Sequence, residues 1–285
     1  MIVQARYKYL SYTLLSLFTA LPLLGGFLYA LGYSFGVIGV LKTGFTTSHW
    51  SALFAAGNIF SSIFYSAIIA GTSIIIAVFL AINTALLLSN KLQKGLLSYL
   101  IYIPLAFPGI VAAFFIFQLF SKSGVLARVA FQLHLIKDIA AFPDLINDQY
   151  GIGIICSFVF LLFPFFVLLF VNIIKSERLE NFKQAAATLH ATPFQIWKKV
   201  SLPILLLRAL PNLILYFIFL FGAFEVPLIL GRSNPEMISV LAVRKLQRFN
   251  LLDLPQGYAI AVLYTIFVFA IILVLFKAKN RSDEQ

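Results

Sequence analysis

The 285-residue sequence has one cysteine, Cys156, and three histidines, His49, His134 and His190, on separate segments. A single thiol excludes a disulfide scaffold and a cysteine-based metal cluster, and histidines without ligand spacing offer no metal site. Charge is scarce as well, at 11% of residues, with only 10 acidic side chains. No serine sits in a nucleophile elbow. The nearest approach to a phosphate loop is GVIGVLKT, where Gly36, Lys42 and Thr43 fit the pattern but Leu41 stands where the second glycine must be. The sequence therefore shows no catalytic residues, no metal ligands, no bound cofactor and no ATP hydrolysis of its own.

Apolar residues are abundant instead. They make up 61% of the chain, which includes 31 phenylalanines, and the mean hydropathy is +0.99. Such a composition requires lipid as solvent. Several runs exceed the roughly 20 residues needed to cross a hydrocarbon core of about 30 Å. They predict an all-α integral membrane protein, one domain over 1–285, with six transmembrane helices at about 10–33, 59–88, 96–120, 151–174, 204–230 and 256–276. The second and third are joined only by Ser89 to Gly95, which requires a tight reversal.

Basic residues near the run ends set the orientation. With a cytoplasmic N-terminus, the inner side carries Arg6, Lys8, Lys91, Lys94, Lys175, Arg178, Lys183, Lys198, Lys199, Lys277, Lys279 and Arg281. The outer side carries Lys42, Lys122, Arg128, Lys137, Arg232, Arg244, Lys245 and Arg248, spread over longer loops. Both termini are thus expected in the cytoplasm. The first run outlasts the apolar core of a cleavable signal and reads as a retained anchor. The formal charge of +11 is dispersed over short loops on both faces, which suits membrane lipid as the partner and not nucleic acid.

The most organised polar stretch is Gln184 to Pro203, QAAATLHATPFQIWKKVSLP. Ala185, Ala186, Ala187 and Leu189 continue a helical pattern begun at Leu179 and Phe182. That helix is expected to stop near His190. Thr192 as N-cap, Pro193 at the first helical position and Gln195 three residues after the cap predict a capping box and a second helix. Lys198 and Lys199 fall in the expected last turn, where cations complement the dipole, and Leu202-Pro203 begins the next apolar run.

This segment resembles the cytoplasmic EAA loop of binding-protein-dependent ABC importer permeases, whose pattern is E-A-A-x3-G-x9-I-x-L-P. Gln184 replaces the family Glu, Ala185 and Ala186 match, His190 replaces the Gly, and Val200, Leu202 and Pro203 match the end in register. The resemblance implies a coupling loop over 177–203, formed by Gln184, Ala185, Ala186, Leu189, His190, Thr192, Pro193, Leu202 and Pro203. It also implies a second permease copy or paralogue, two ATP-binding subunits carrying ATP and Mg, an extracytoplasmic substrate-binding protein, a bacterial inner membrane and alternating access. Gly222 to Gly231 with Asn234-Pro235 looks most like the branch importing polyamines, ferric iron, sulfate or thiamine. Gln at 184 loses an ion pair open to Glu, and His at 190 tolerates a left-handed backbone less well than Gly.

Polar groups inside apolar runs are the candidates for a pathway or gate. Glu225 is the sharpest: Pro227 beside it is expected to bend the fifth span and free carbonyls. Its alternative role is an interfacial carboxylate paired with Arg232 or a loop cation. Asn83 reads as an interhelical hydrogen-bonding residue, with solute contact as the second reading. Arg208 is expected to snorkel to the cytoplasmic interface, and Pro104, Pro108 and Gly109 to kink the third span. After Gly124, an interfacial helix is expected with Val125, Val129, Ala130, Leu133 and Ile136 on one side. Two rivals remain: an ion-coupled secondary transporter, which requires internal repeats with paired broken helices, and a structural membrane scaffold.

Overall fold

A computed structural model describes residues 2–40, 42, 44–88 and 96–283, and every regular element among them is helical. In chain order these are α1 (Ile2–Ser34), α2 (Ser48–Ala55), α3 (Asn58–Leu88), α4 (Leu96–Tyr102), α5 (Gly109–Phe120), α6 (Val125–Gln132), α7 (Ile152–Ser176), α8 (Leu179–Thr188), α9 (Pro193–Ile196), α10 (Leu202–Phe221), α11 (Glu225–Leu230), α12 (Ile238–Gln247) and α13 (Leu254–Asp283). Six stretches among the described residues are long and apolar enough to cross a membrane: Tyr12–Ser34, Asn58–Leu88, Gly109–Gln132, Ile152–Ser176, Pro193–Phe221 and Leu251–Leu273. The all-helical, six-span reading agrees with this. The reversal expected at Ser89 to Gly95 lies outside the described residues.

Two spans differ from their expected form. The run at 96–120 is not one kinked helix: α4 passes into a 3-10 turn at Ile103–Ala106, Phe107 and Pro108 are extended, and α5 starts afresh at Gly109. Pro104 and Pro108 disfavour the helical conformation at the residue before each and cannot donate to the ladder, so together they break it. The run at 204–230 likewise ends at Phe221, and α11 begins at Glu225. Pro227 does not cause that break. It lies in the first turn of α11, where its missing N–H has no intrahelical acceptor to lose.

The chain divides into two compact units, residues 1–61 with 238–285, and residues 62–237. In the first, α13 packs against α1, α2 and α12. Tyr33 stacks on Tyr258 at 4.3 Å, with Tyr29 edge-on at 5.8 Å from Tyr258. The half-exposed end of α12 is tied to the start of α13 by Lys245, whose ammonium donates to Asp253 at 3.1 Å and Gln256 at 2.7 Å. Arg248 also reaches Asp253. A buried carboxylate with two cations is satisfied and carries little strain.

In the second unit, α7 is the central element, packing against α5, α8, α10 and α11. Phe158, Phe166 and Phe170 on α7 are fully buried. The helix starts where Asp148 accepts hydrogen bonds from the Tyr150 amide, just before it, and from the Ile152 amide, its first donor, at 2.9 and 2.8 Å. On α3 the buried side alternates small residues, Ser62, Ser66, Ala70, Ser73, Ala77, Ala81 and Ala85, with large ones such as Ile69 and Ile82. Small residues let helix backbones approach closely where no hydrophobic driving force separates protein from lipid.

On α6, the helix expected at the interface, a small residue again faces the protein. Its packed side is Ala127, while Val125, Val129 and Leu133 point outward and the helix ends at Gln132, before Ile136. Gly124 sets this approach: a Cβ there would lie 2.6–2.9 Å from the carbonyl oxygens of Gln118, Leu119 and Ser121. Backbone cannot yield as a side chain does, so Gly124→Ala is expected to cost about 1–3 kcal/mol, the range for overpacking. A lowered midpoint of thermal unfolding in detergent checks this, and an unchanged midpoint contradicts it.

Candidate functional site

The polar loop after α7 is built by a chain of local rules. Arg178, with φ of 50°, turns the chain out of α7, and the fully buried Leu179 anchors the first turn of α8. Lys183 pairs with Glu180 at 2.9 Å on the exposed side. At the far end the His190 amide donates to the Ala187 carbonyl at 2.9 Å and the Ala191 amide to Ala186 at 3.2 Å. With His190 at φ of 59°, this is a Schellman stop with histidine in the position where glycine is usual. The left-handed turn expected from a glycine position is therefore present, made by a residue that adopts it at a cost.

The capping box forms as the spacing predicts. The Gln195 amide donates to Thr192 Oγ1 at 3.3 Å, and the Thr192 amide donates to Gln195 Oε1 at 2.9 Å, with Pro193 at the first helical position. The second loop helix does not end at Lys198 and Lys199, however. It continues through a π turn at Trp197–Ser201 into α10. Pro203 cannot donate to the ladder; the Leu202 amide reaches back to Trp197, and the wide turn absorbs the gap. Pro193 to Phe221 is thus one helical rod of 29 residues, and the two lysines sit within it and not at a terminus.

Arg208 has a protein partner that the snorkelling expectation did not include. Its Nε and Nη2 donate to the two Glu177 oxygens at 2.9 and 3.2 Å, a bidentate pair that pins α10 to the α7–α8 corner. Sequence reasoning missed this pair, although Glu177 is an acid at the foot of the loop. The loop exposes three large apolar side chains, Phe182 at 53%, Leu189 at 82% and Phe194 at 67%. Gln184, Ala185, Thr192 and Pro193 are exposed with them, and Ala186 is half-buried.

The second cluster lies where the two broken helices meet. Pro108, at the N-cap of α5, has no side-chain acceptor for the orphan amides of its helix. Glu225, 115 residues away, supplies one: its Oε2 accepts from the Ile110 amide at 3.1 Å. The carboxylate's partner is thus a helix N-terminus and not Arg232, and it is favoured there by the α5 dipole. Gly109 makes room, since a Cβ would sit 3.1 Å from the same oxygen. Val226 and Pro227 are buried behind the exposed Glu225. Asn83 stands apart; its amide donates to the Phe79 carbonyl on its own helix at 2.7 Å.

Both clusters fall inside a family match. Residues 73–282, well over half the chain, match the family described as "Binding-protein-dependent transport system inner membrane component". A search of curated proteins finds no match. Among solved structures, the chain is similar to a bacterial ABC transporter involved in the import of the acidic polysaccharide alginate, with a TM-score of 0.71 and 16% identity over 98% of this chain and 97% of that one. It is also similar to a bacterial alginate ABC transporter in complex with an alginate pentasaccharide-bound periplasmic protein, with a TM-score of 0.68 and 18% identity over 95% and 92% of the two chains. At such identities the likeness is one of fold.

Two variant series follow. Glu225→Gln retains an acceptor oxygen for Ile110, whereas Glu225→Leu orphans that amide and is expected to cost about 1–2 kcal/mol, as for loss of a helix cap; equal unfolding midpoints for the two variants contradict the assignment. At the loop, His190→Gly removes the left-handed cost and His190→Val raises it, by about 1 kcal/mol each. Trypsin cleavage at Lys183 and Lys198 is then expected to slow in the first variant and quicken in the second.

Proposed function

The chain belongs to the family of inner-membrane components of binding-protein-dependent transport systems, and from that membership we propose how it works as the permease of an ATP-driven importer. The family is a membrane permease component and not itself catalytic. In this reading two ATP-binding subunits, holding ATP and Mg, dock on the 177–203 loop from the cytoplasm, where both termini also lie. A second permease copy or paralogue completes the pathway, and an extracytoplasmic binding protein delivers the solute. A periplasmic partner of that kind accompanies one of the similar structures.

The observation that carries the proposal is the exposed apolar group Phe182, Leu189 and Phe194 on a loop otherwise rimmed by Glu180, Lys183, Gln184, Lys198 and Lys199. Apolar side chains held outward on a rigid polar loop mark a protein-binding surface. The rod from Pro193 to Phe221 spans roughly 43 Å at 1.5 Å per residue. One end is in the loop, and the other stops at Phe221, with three residues between it and Glu225. Closure of the ATPase pair moves the loop, the rod carries the displacement, and the hinge at Gly222–Phe224 with the Glu225–Ile110 contact opens or closes the pathway. Gln184, Ala185, Ala186, His190, Thr192, Leu202 and Pro203 shape the docking side, and Glu225 with Pro227 forms the gate, to which Asn83 is a secondary candidate.

The cargo is a hydrophilic solute. The segment 222–235 favours polyamine, ferric iron, sulfate or thiamine, while the structures of similar fold belong to transporters of an acidic polysaccharide. Leu189→Asp tests the docking role, since this exposed side chain has little packing to lose. In vesicles made with the native partner subunits, ATP-driven uptake and co-purification of the ATPase are expected to fall about tenfold or more, equivalent to about 1.4 kcal/mol of contact energy. Wild-type uptake at wild-type protein level overturns the proposal.

A further inference from the structure

The segment between α1 and α3 has a feature the transport reading does not use. Between Phe35 and Phe60 the only fully charged residue is Lys42, yet the segment is well organised. The Thr46 amide donates to Phe35 at 2.8 Å, Val37 to Gly32 at 3.0 Å and Trp50 to Thr47 at 3.1 Å. Thr46 Oγ1 accepts from the Ser48 amide at 3.1 Å. On α2, Leu53 is buried.

Five aromatic rings form a continuous ladder on this frame. Phe45 stacks on Phe35 at 5.2 Å, Phe35 on Trp50 at 5.6 Å, Trp50 meets Phe54 at 6.3 Å and Phe54 stacks on Phe60 at 5.7 Å. The ladder is open to the outside at both ends, with Phe45 74% and Phe60 62% exposed. Val37 and Val40 add further exposed apolar surface. Within the ladder, Trp50 Nε1 has no hydrogen-bond partner in the protein, and neither does the neighbouring His49 Nε2.

We propose that the 35–60 segment is an interfacial anchor, its aromatic ladder seated in the headgroup and ester region of the bilayer leaflet where α1 ends and α3 begins, with lipid as its partner. The segment joins two membrane-spanning helices, so both its ends are held at one bilayer face whatever else binds there. Aromatic rings with a polar edge favour that zone, where the ring leaves water while an indole N–H still finds an ester or phosphate oxygen. Lys42, exposed within the same segment, suits an anionic headgroup. Thr46, Thr47, Ser48 and Ser51 place neutral polar groups beside the rings, a mixture that neither a dry core nor a solvated charged loop requires.

The chain has two tryptophans, which makes the test direct. W197F, which keeps an aromatic ring for Phe194 to stack on, leaves Trp50 as the sole indole. The full chain is reconstituted in phosphatidylethanolamine and phosphatidylglycerol vesicles with part of the lipid replaced by brominated phosphatidylcholine. Trp50 emission is expected to fall about twofold with bromines high on the acyl chain and distinctly less with bromines near the chain end, as for a ring at headgroup depth. Aqueous iodide is expected to quench it weakly. If W197F does not fold, the difference between wild type and W50F carries the same reading. Strong quenching by iodide with none from brominated lipid means a water-facing loop and overturns the proposal. Insensitivity to both quenchers means the ladder is covered by protein, and overturns it equally.

Discussion

In hydrocarbon every backbone N–H must find a partner, at a cost of several kcal/mol for each that does not. A helix meets this demand internally, except at its ends. This chain places helix ends within two of its apolar runs, at residues 103–108 and 222–224. The contact between Glu225 and the Ile110 amide answers part of the resulting demand. It also explains three sequence features together: an acid in an apolar run, a glycine at 109 where a Cβ would crowd that carboxylate, and a proline at 108 that starts a helix without capping it.

A contact of this kind is suited to a moving part because it is strong but singular. Burial of α7 by its phenylalanines is spread over many side chains, and no small displacement loses it. The junction adds to the packing of α11 on α5 a single polar contact, the Glu225 carboxylate on the Ile110 amide, between two short irregular segments, and α10 ends at Phe221. At the other end of that rod, the bidentate Arg208–Glu177 pair and the π turn at Trp197–Ser201 make the polar loop and the span a single mechanical piece. Rigid elements joined at a few weak points are the usual construction of hinge motion.

Much of this was legible in the residue order. Six apolar runs predicted six spans because hydropathy is a composition signal, insensitive to detail. Thr192, Pro193 and Gln195 predicted the capping box because its chemistry is local to four residues. What escaped was non-local or concerned continuity. Pro227 looked like the cause of a bend, whereas only the coordinates show that the helix had already ended at Phe221 and that Pro227 opens the next one. The partner of Glu225 lies 115 residues away, and neither Ile110 nor its neighbours carries a side chain that advertises an empty amide. On α6 the apolar side expected of an interfacial helix does face outward at Val125 and Val129, but the helix stops at Gln132, short of Ile136, and packs inward through Ala127. The resemblance identified the family and left the cargo undetermined.

Amide hydrogen exchange at Ile110 tests the central claim most directly. If the carboxylate of Glu225 holds the start of α5, exchange at Ile110 is slow in the wild-type protein and quickens by about tenfold in Glu225→Leu, the kinetic equivalent of losing a bond of about 1.4 kcal/mol. Exchange at Ile116, deep in the same helix, stays unchanged in the variant. Equal exchange at Ile110 in both proteins contradicts the account, because the two broken helices would then be held together without the contact on which the proposed hinge depends.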